Sequence, residues 1–228
     1  MPRRARMTVP GIPHHVIQRG NNRQACFYCD EDYLTYLEWL KEYAQEFDCE
    51  VHAYVLMTNH VHLLVTPSTI TSLSSFMKAL SQRYVQYINR TYKRSGSFWE
   101  GRYKSSVTSE DHYVLACYRY IELNPVRASM VEHPAEYRWS SYRVNAQGEA
   151  SDIISPHPTY LALADDSIRF EAYRDLFRYE LDPGLVDELR EATKGNLAFG
   201  SEKFKKQIED AIGYSMEPRK IGRPSKET

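Results

Sequence analysis

The feature that most constrains this chain is a pair of apolar, β-branched runs, residues 51–57 and 61–65, separated by the polar dipeptide Thr58-Asn59. Runs of this kind read as strands, and a two-residue polar break between them reads as a tight hairpin turn. The second strand opens with His60-Val61-His62. Because a strand repeats every second residue, both imidazoles fall on one face. Two imidazoles held by a rigid strand are most of a metal site. A strand histidine can equally be a packed, hydrogen-bonded residue, and His52 lies in the same hairpin. The pattern alone leaves both roles open.

Around the hairpin the periodicity sets out a short list of elements. Residues 14–19 alternate weakly and read as a first strand, followed by the loop Gly20-Asn21-Asn22-Arg23. From Asp30, a candidate N-cap, Tyr33, Leu34, Leu37, Leu40, Ala44 and Phe47 recur at helical spacing. Residues 71–92 repeat that pattern through Leu73, Phe76, Met77, Leu80, Tyr84 and Ile88, with Lys78, Arg83 and Arg90 at charged positions. After Ser95-Gly96-Ser97, residues 98–108 read as extended. A further helix starts at Asp111 and must stop near Asn124, since Pro125 disfavours α geometry in the residue before it. The order βαββαβ plus one helix predicts an α+β, ferredoxin-like sandwich of antiparallel sheet and helices.

Beyond about Trp139 the pattern changes. Asn145-Ala146-Gln147-Gly148-Glu149 reads as a linker, and short helical patterns follow at 160–163, 172–179, 184–192 and 201–212. The expected organisation is a main domain over 8–143, a small C-terminal helical module over 150–214, and a basic, disordered tail over 215–228.

Composition bounds the setting. A chain of 228 residues, 26% charged and 42% hydrophobic, suits one sizeable soluble core and a second small unit. No apolar run reaches the roughly 18 residues of a membrane span. Arg3, Arg4 and Arg6 precede Pro10-Gly11-Ile12-Pro13 instead of an apolar block, so no secretory signal and a cytoplasmic address are predicted. Four cysteines in this length predict reduced thiols, not a disulfide framework. Cys26-Phe27-Tyr28-Cys29 has ligand-like spacing, but no second pair accompanies it, and it is read as structural. The net charge of −1 hides basic clusters at 3–6, at Arg19 and Arg23, at 78–104 and at 219–226. Local positive patches, more than the net charge, decide phosphate binding.

The helix after Asp111 carries further chemistry. Tyr120 and Asn124, four apart, share a face. An Asn124 amide oxygen would complete a His60-His62-Asn124 site, with waters or a phosphate filling the shell of a hard ion. Tyr120 would then be a nucleophile. A free phenol, with a pKa of about 10, is only about one part in a thousand ionised at pH 7, and proximity to a cation reduces that handicap. Tyr118 and Glu122 have the same spacing and offer a carboxylate that Mg²⁺ would prefer. Spacing does not separate the pairs. Among 18 tyrosines, packing or surface is the ordinary role, as read for Tyr113 and Tyr118.

Asn59-His60-Val61-His62-Leu63-Leu64 resembles the histidine-hydrophobe-histidine signature of the HUH single-tyrosine transposases, and Tyr120-Ile121-Glu122-Leu123-Asn124-Pro125-Val126-Arg127 resembles their tyrosine helix. Gly11-Ile12-Pro13-His14-His15-Val16 and Phe98-Trp99-Glu100-Gly101-Arg102-Tyr103 add to a similarity with the REP-associated tyrosine transposases, over roughly residues 8–143. The resemblance places the nucleophile on Tyr120 and the third ligand on Asn124, leaving Tyr118 and Glu122 without a catalytic part. It implies cleavage of single-stranded DNA near a hairpin with Mg²⁺ or Mn²⁺ and no nucleotide cofactor, through a 5′-phosphotyrosine intermediate. It also implies either a monomer or a homodimer that exchanges the tyrosine helix.

Arg19, Arg23, Arg83, Arg90, Arg102 and Lys104 are then expected phosphate contacts. Phe98, Trp99 and Tyr103 are expected to stack on unpaired bases, with core packing the alternative for the first two. The Arg3-Arg4-Arg6 arm would follow a groove of the hairpin stem, and Gly222-Arg223-Pro224 resembles the core of an AT-hook, unless both are simple disordered tails. The C-terminal module either helps hold DNA or packs on the main domain. A non-catalytic hairpin-binding regulator is the alternative to an enzyme, and the intact set His60, His62, Tyr120 and Asn124 favours the enzyme.

Overall fold

Four strands, β1 (His14–Arg19), β2 (Cys49–Met57), β3 (His60–Pro67) and β4 (Lys104–Val107), form one sheet in the order β2-β3-β1-β4. Every neighbouring pair is antiparallel. The computed structural model describes residues 7–213 and Ser215. Helix α1 (Asp30–Glu46) joins β1 to β2, and α2 (Ser72–Thr91) joins β3 to β4. The expected α+β, ferredoxin-like sandwich is the fold found.

The central strands read as continuous apolar runs because both faces of the sheet are covered. On one side α1 and α2 pack against each other and the sheet. Gln18 faces that side, where its side-chain oxygen accepts from the Ser81 hydroxyl of α2 at 2.9 Å. The opposite face holds His15, Ile17 and Arg19, and by register also His60 and His62. Helix α3 (Asp111–Glu122) packs there across β2 and β3.

Local chemistry explains the element ends, with two departures from expectation. Asp30 opens α1 instead of capping it. Asp32 does the capping, accepting from the backbone N–H groups of Tyr28 at 2.8 Å and Cys29 at 3.3 Å. The hydroxyls of Tyr87 and Tyr92 also donate to it, each at 2.9 Å, so the fully buried carboxylate is satisfied and ties α2 to the start of α1. Pro125 ends α3 as expected. The chain resumes as α4 (Asn124–Arg127), where a proline at the helix start sacrifices no hydrogen bond.

The expected linker at 145–149 is a correction. Helix α5 (Tyr142–Gln147) occupies it, and Asn145 is buried, with its amide donating to His52 O at 3.2 Å and to Glu122 at 2.8 Å. A side chain that satisfies two buried acceptors belongs to the core, whatever its loop-like composition. Beyond it lie α6 (Pro158–Leu161), α7 (Arg169–Asp175), α8 (Pro183–Gly195) and α9 (Glu202–Ile212). Helix α8 packs on β4. Its C-cap Asn196 adopts a left-handed φ of 53° and accepts from the Ser105 N–H of β4 at 3.1 Å. The following residues run beside β4, with Phe199 N–H donating to Val107 O at 2.8 Å. No helix among the described residues is long and apolar enough to cross a membrane.

Candidate active site

His60 and His62 stand on β3 with ring centroids 5.0 Å apart and planes nearly perpendicular. The face they share forms the floor of a cleft of about 920 Å³. Tyr120 enters from α3, its ring edge-on to both His15 and His62 at 5.6 Å. Asn124 follows one turn later and donates its amide N–H to Tyr120 O at 3.1 Å, which leaves the side-chain oxygen for the cleft. The Asn124 side chain also hydrogen-bonds the His60 ring, an effect that raises the His60 pKa against the larger effect of burial.

Electrostatics keep these imidazoles neutral. Burial, and then the Arg19 charge, lower the His60 pKa to about 4. Burial pulls His62 well below the ordinary histidine value, with neighbouring His15, His60, Arg19 and Arg127 acting in the same direction. Neutral rings carry the lone pairs a metal needs. His60 Nδ1 lies 2.6 Å from Asn59 Oδ1 and donates to it, so its Nε2 is bare. The Asn59 amide is oriented by its own donation to Arg23 O at 3.2 Å. His62 Nδ1 lies 2.8 Å from His15 Nε2, and His15 Nδ1 lies 2.9 Å from Thr193 Oγ1 of α8.

Among the described residues no group of three or more His, Cys, Asp or Glu side chains is placed to hold a metal ion. The donors at hand are two imidazoles and an amide oxygen, a set of three that leaves further positions of a metal site open to water or substrate. His52 is no part of it. It sits where the β2 register shifts between Val51 and Ala53, with its nitrogens 2.6 Å from Ser155 O and 2.7 Å from Thr66 Oγ1, a satisfied core histidine. Cys26 is buried, its thiol pushed up to about 12, while Cys29 is exposed.

The two tyrosine pairs are packed differently. Tyr118 turns away from the cleft, stacks on Tyr160 at 6.0 Å and accepts from His157 N–H at 3.4 Å. Fully buried Glu122 accepts from Ser141, Asn145 and Tyr173 at 2.6, 2.8 and 2.7 Å. Burial raises its pKa to about 7, against the pull of those three donors.

Of the expected DNA contacts, Arg19, Arg102, Tyr103 and Lys104 line the cleft. Arg23 is exposed on the loop beside the hairpin turn, and Arg90 is exposed at the end of α2. Arg83 points to α1, where it pairs with Glu42 at 2.7 Å and covers the Trp39 ring at 4.6 Å. Trp99 and Phe98 are buried around Tyr84, and Trp99 bridges Gly20, so the packing alternative describes both. Arg3, Arg4, Arg6 and Arg223 lie outside the described residues.

Three cations that were not anticipated also face the cleft. Arg127 lies 4.5 Å over the Tyr120 ring, and Arg190 and Lys194 come from α8. Arg190 hydrogen-bonds the Tyr120 side chain. The i,i+4 spacing of Arg190 and Lys194 puts them on one helix face, but no local pattern tells where that face points.

Residues 8–124, just over half of the chain, match the family described as Transposase IS200 like. Among solved structures, a REP-associated tyrosine transposase bound to a REP hairpin aligns with a TM-score of 0.56 at 16% identity, over 69% of this chain and 93% of that one. That likeness is one of fold. A candidate transposase from Deinococcus radiodurans aligns over 53% of this chain and 96% of its own, at 24% identity and a TM-score of 0.37. No curated protein matches the sequence.

Proposed function

This chain belongs to the IS200-like transposase family, and we propose that it is a metal-dependent endonuclease and strand transferase acting on single-stranded DNA beside a hairpin. The observation that carries this reading is the convergence of Tyr120, His60, His62 and Asn124 in one cationic cleft. His60 Nε2, His62 Nε2 and the Asn124 side-chain oxygen would hold Mg²⁺ or Mn²⁺. When bound, such an ion supplies Lewis-acid polarisation of the scissile phosphate. The Tyr120 oxygen attacks phosphorus, forming the Tyr120–phosphate bond as the bond to the 3′ oxygen breaks. The phenol loses its proton, and the departing oxygen becomes a 3′-hydroxyl. Arg190, donating to the phenol oxygen, holds it in place within the cleft. A 3′-hydroxyl from another strand reverses the step, so rejoining needs no nucleotide cofactor. The hairpin partner is supported by the fold likeness to a transposase bound to a REP hairpin.

The test incubates hairpin-flanked single strands with the protein and Mg²⁺ or Mn²⁺. A covalent protein–DNA adduct that EDTA prevents is expected, and adduct formation in Arg190→Ala should slow by about 10-fold, the loss of one charge-assisted hydrogen bond. No adduct on any cognate strand would leave a binding protein.

Binding should be salt-dependent. For single strands the log–log slope is about −0.7 per phosphate contact, so Lys104→Ala should reduce its magnitude by about 0.7. Arg83→Ala should leave the slope unchanged, because Arg83 is engaged with Glu42 and Trp39 on the other layer. A slope that responds to Arg83 and not to Lys104 would move the DNA to the α1–α2 side.

A further inference from the structure

The chain of hydrogen bonds behind His62 has a direction, and its anchor is on α8. Thr193 Oγ1 lies 2.8 Å from Leu189 O, one turn back. A carbonyl oxygen only accepts, so the threonine proton is committed to it; turned elsewhere, two lone-pair oxygens would face each other at that distance. Oγ1 can then only accept, from His15 Nδ1 at 2.9 Å and from the Ser106 hydroxyl at 3.0 Å. His15 is buried at 1% exposure, where an unpaired charge is costly, so the ring is neutral with a single proton. With that proton on Nδ1, its Nε2 is bare and accepts from His62 Nδ1 at 2.8 Å. His62 is then left with its lone pair on Nε2.

We propose that Thr193 is a positioning residue that, through His15, fixes His62 as the Nδ1–H tautomer and so presents a bare Nε2 to the cleft. The inference rests on the metal-ligand reading of His62 above, and it assigns a role to a residue well beyond residues 8–124. A ligating histidine whose other nitrogen donates to a fixed partner is held in tautomer and ring orientation. Here the partner is another imidazole, which can accept or donate, so it cannot set the direction alone. The threonine–carbonyl bond breaks that symmetry. With valine at 193, the whole chain can invert: His15 would carry its proton on Nε2 and donate to His62 Nδ1, and His62 Nε2 would hold a proton instead of a lone pair.

Two near-isosteric variants separate hydroxyl from packing. Thr193→Val keeps the volume and loses the hydroxyl; Thr193→Ser keeps the hydroxyl and loses a methyl. In metal-free full-length protein labelled with ¹⁵N at histidine, ring nitrogen–proton correlation spectra should show Nδ1–H at His15 and His62 in wild type and Thr193→Ser, and Nε2–H in Thr193→Val. Mn²⁺ affinity, followed by the paramagnetic resonance of the free ion, should weaken by about 10–100-fold in Thr193→Val and by no more than about threefold in Thr193→Ser. A wild-type His62 protonated on Nε2, or a tautomer unmoved by valine, overturns the proposal, as does a Mn²⁺ loss larger in serine than in valine. The Nδ1–H tautomer inverted by valine, in a wild type that binds no Mn²⁺, supports the relay and instead removes the metal-ligand reading.

Discussion

Replacing Tyr120 by phenylalanine is expected to abolish covalent adduct formation, a fall of at least about 10³-fold in cleavage, while leaving the fold intact. The ring contacts survive this change. Phenylalanine keeps the edge-on packing against His15 and His62 at 5.6 Å and the Arg127 contact at 4.5 Å, and only the oxygen is lost. Tyr118→Phe should do the reverse. Its hydroxyl meets the His157 N–H at 3.4 Å in the layer between α3, α6 and α7, so its loss should lower stability by about 0.5–1.5 kcal/mol and leave adduct formation within about threefold of wild type. Denaturing gels with labelled strands read the adduct, and urea titration reads the stability. An adduct that survives in Tyr120→Phe and disappears in Tyr118→Phe would reverse the assignment.

The two tyrosines differ by two residues and share a four-residue partner spacing, which is why local pattern could not rank them. On a helix, positions two apart diverge by about 200°, so one faces the cleft and the other faces away, but which is which depends on what covers each side. Glu122 shows the cause. Its donors Ser141, Asn145 and Tyr173 are 19, 23 and 51 residues away, and no window on the sequence joins them. The hairpin, the two long helices and the βαββαβ order were legible because each depends on periodicity within one segment. His60 and His62 stand out in the same way, whereas Tyr120 and Asn124 are separated from Tyr118 and Glu122 only by their resemblance to a family motif. What lay hidden was set by long-range contact. Thr193 meets His15 across 178 positions, and the linker-like composition of 145–149 concealed a buried asparagine. Arg83 looked like a phosphate contact until α1 supplied Glu42 and Trp39.

Acidifying the metal-free protein from pH 7 to pH 5 is expected to lower its stability by several kcal/mol, and its Tm by at least roughly 10 °C. Burial lowers the pKa of His14, His52 and His60 to about 4 and that of His15 to about 3, and it shifts buried His62 and half-buried His157 in the same direction. Their neutral forms fit the folded core, and in the unfolded chain they regain the ordinary value near 6.5. Their contribution is therefore complete above pH 6.5 and is lost as pH falls toward the folded values, because the unfolded state takes up protons first. At pH 5 each has lost about 2 kcal/mol. Glu122 works in the opposite sense. Burial raises its pKa to about 7, so the folded state takes up its proton first and gains about 2 kcal/mol over the same interval, offsetting one histidine. The two signs give a test that overall destabilisation cannot mimic. His52→Gln removes a group that destabilises on acidification and should flatten the pH dependence by about 2 kcal/mol. Glu122→Gln removes the offset and should steepen it by a similar amount. Urea midpoints at pH 7, 6 and 5 in EDTA measure both slopes. If the two variants shift the slope in the same direction, burial of these groups does not control the acid response, and the decline would have to come from surface charge instead.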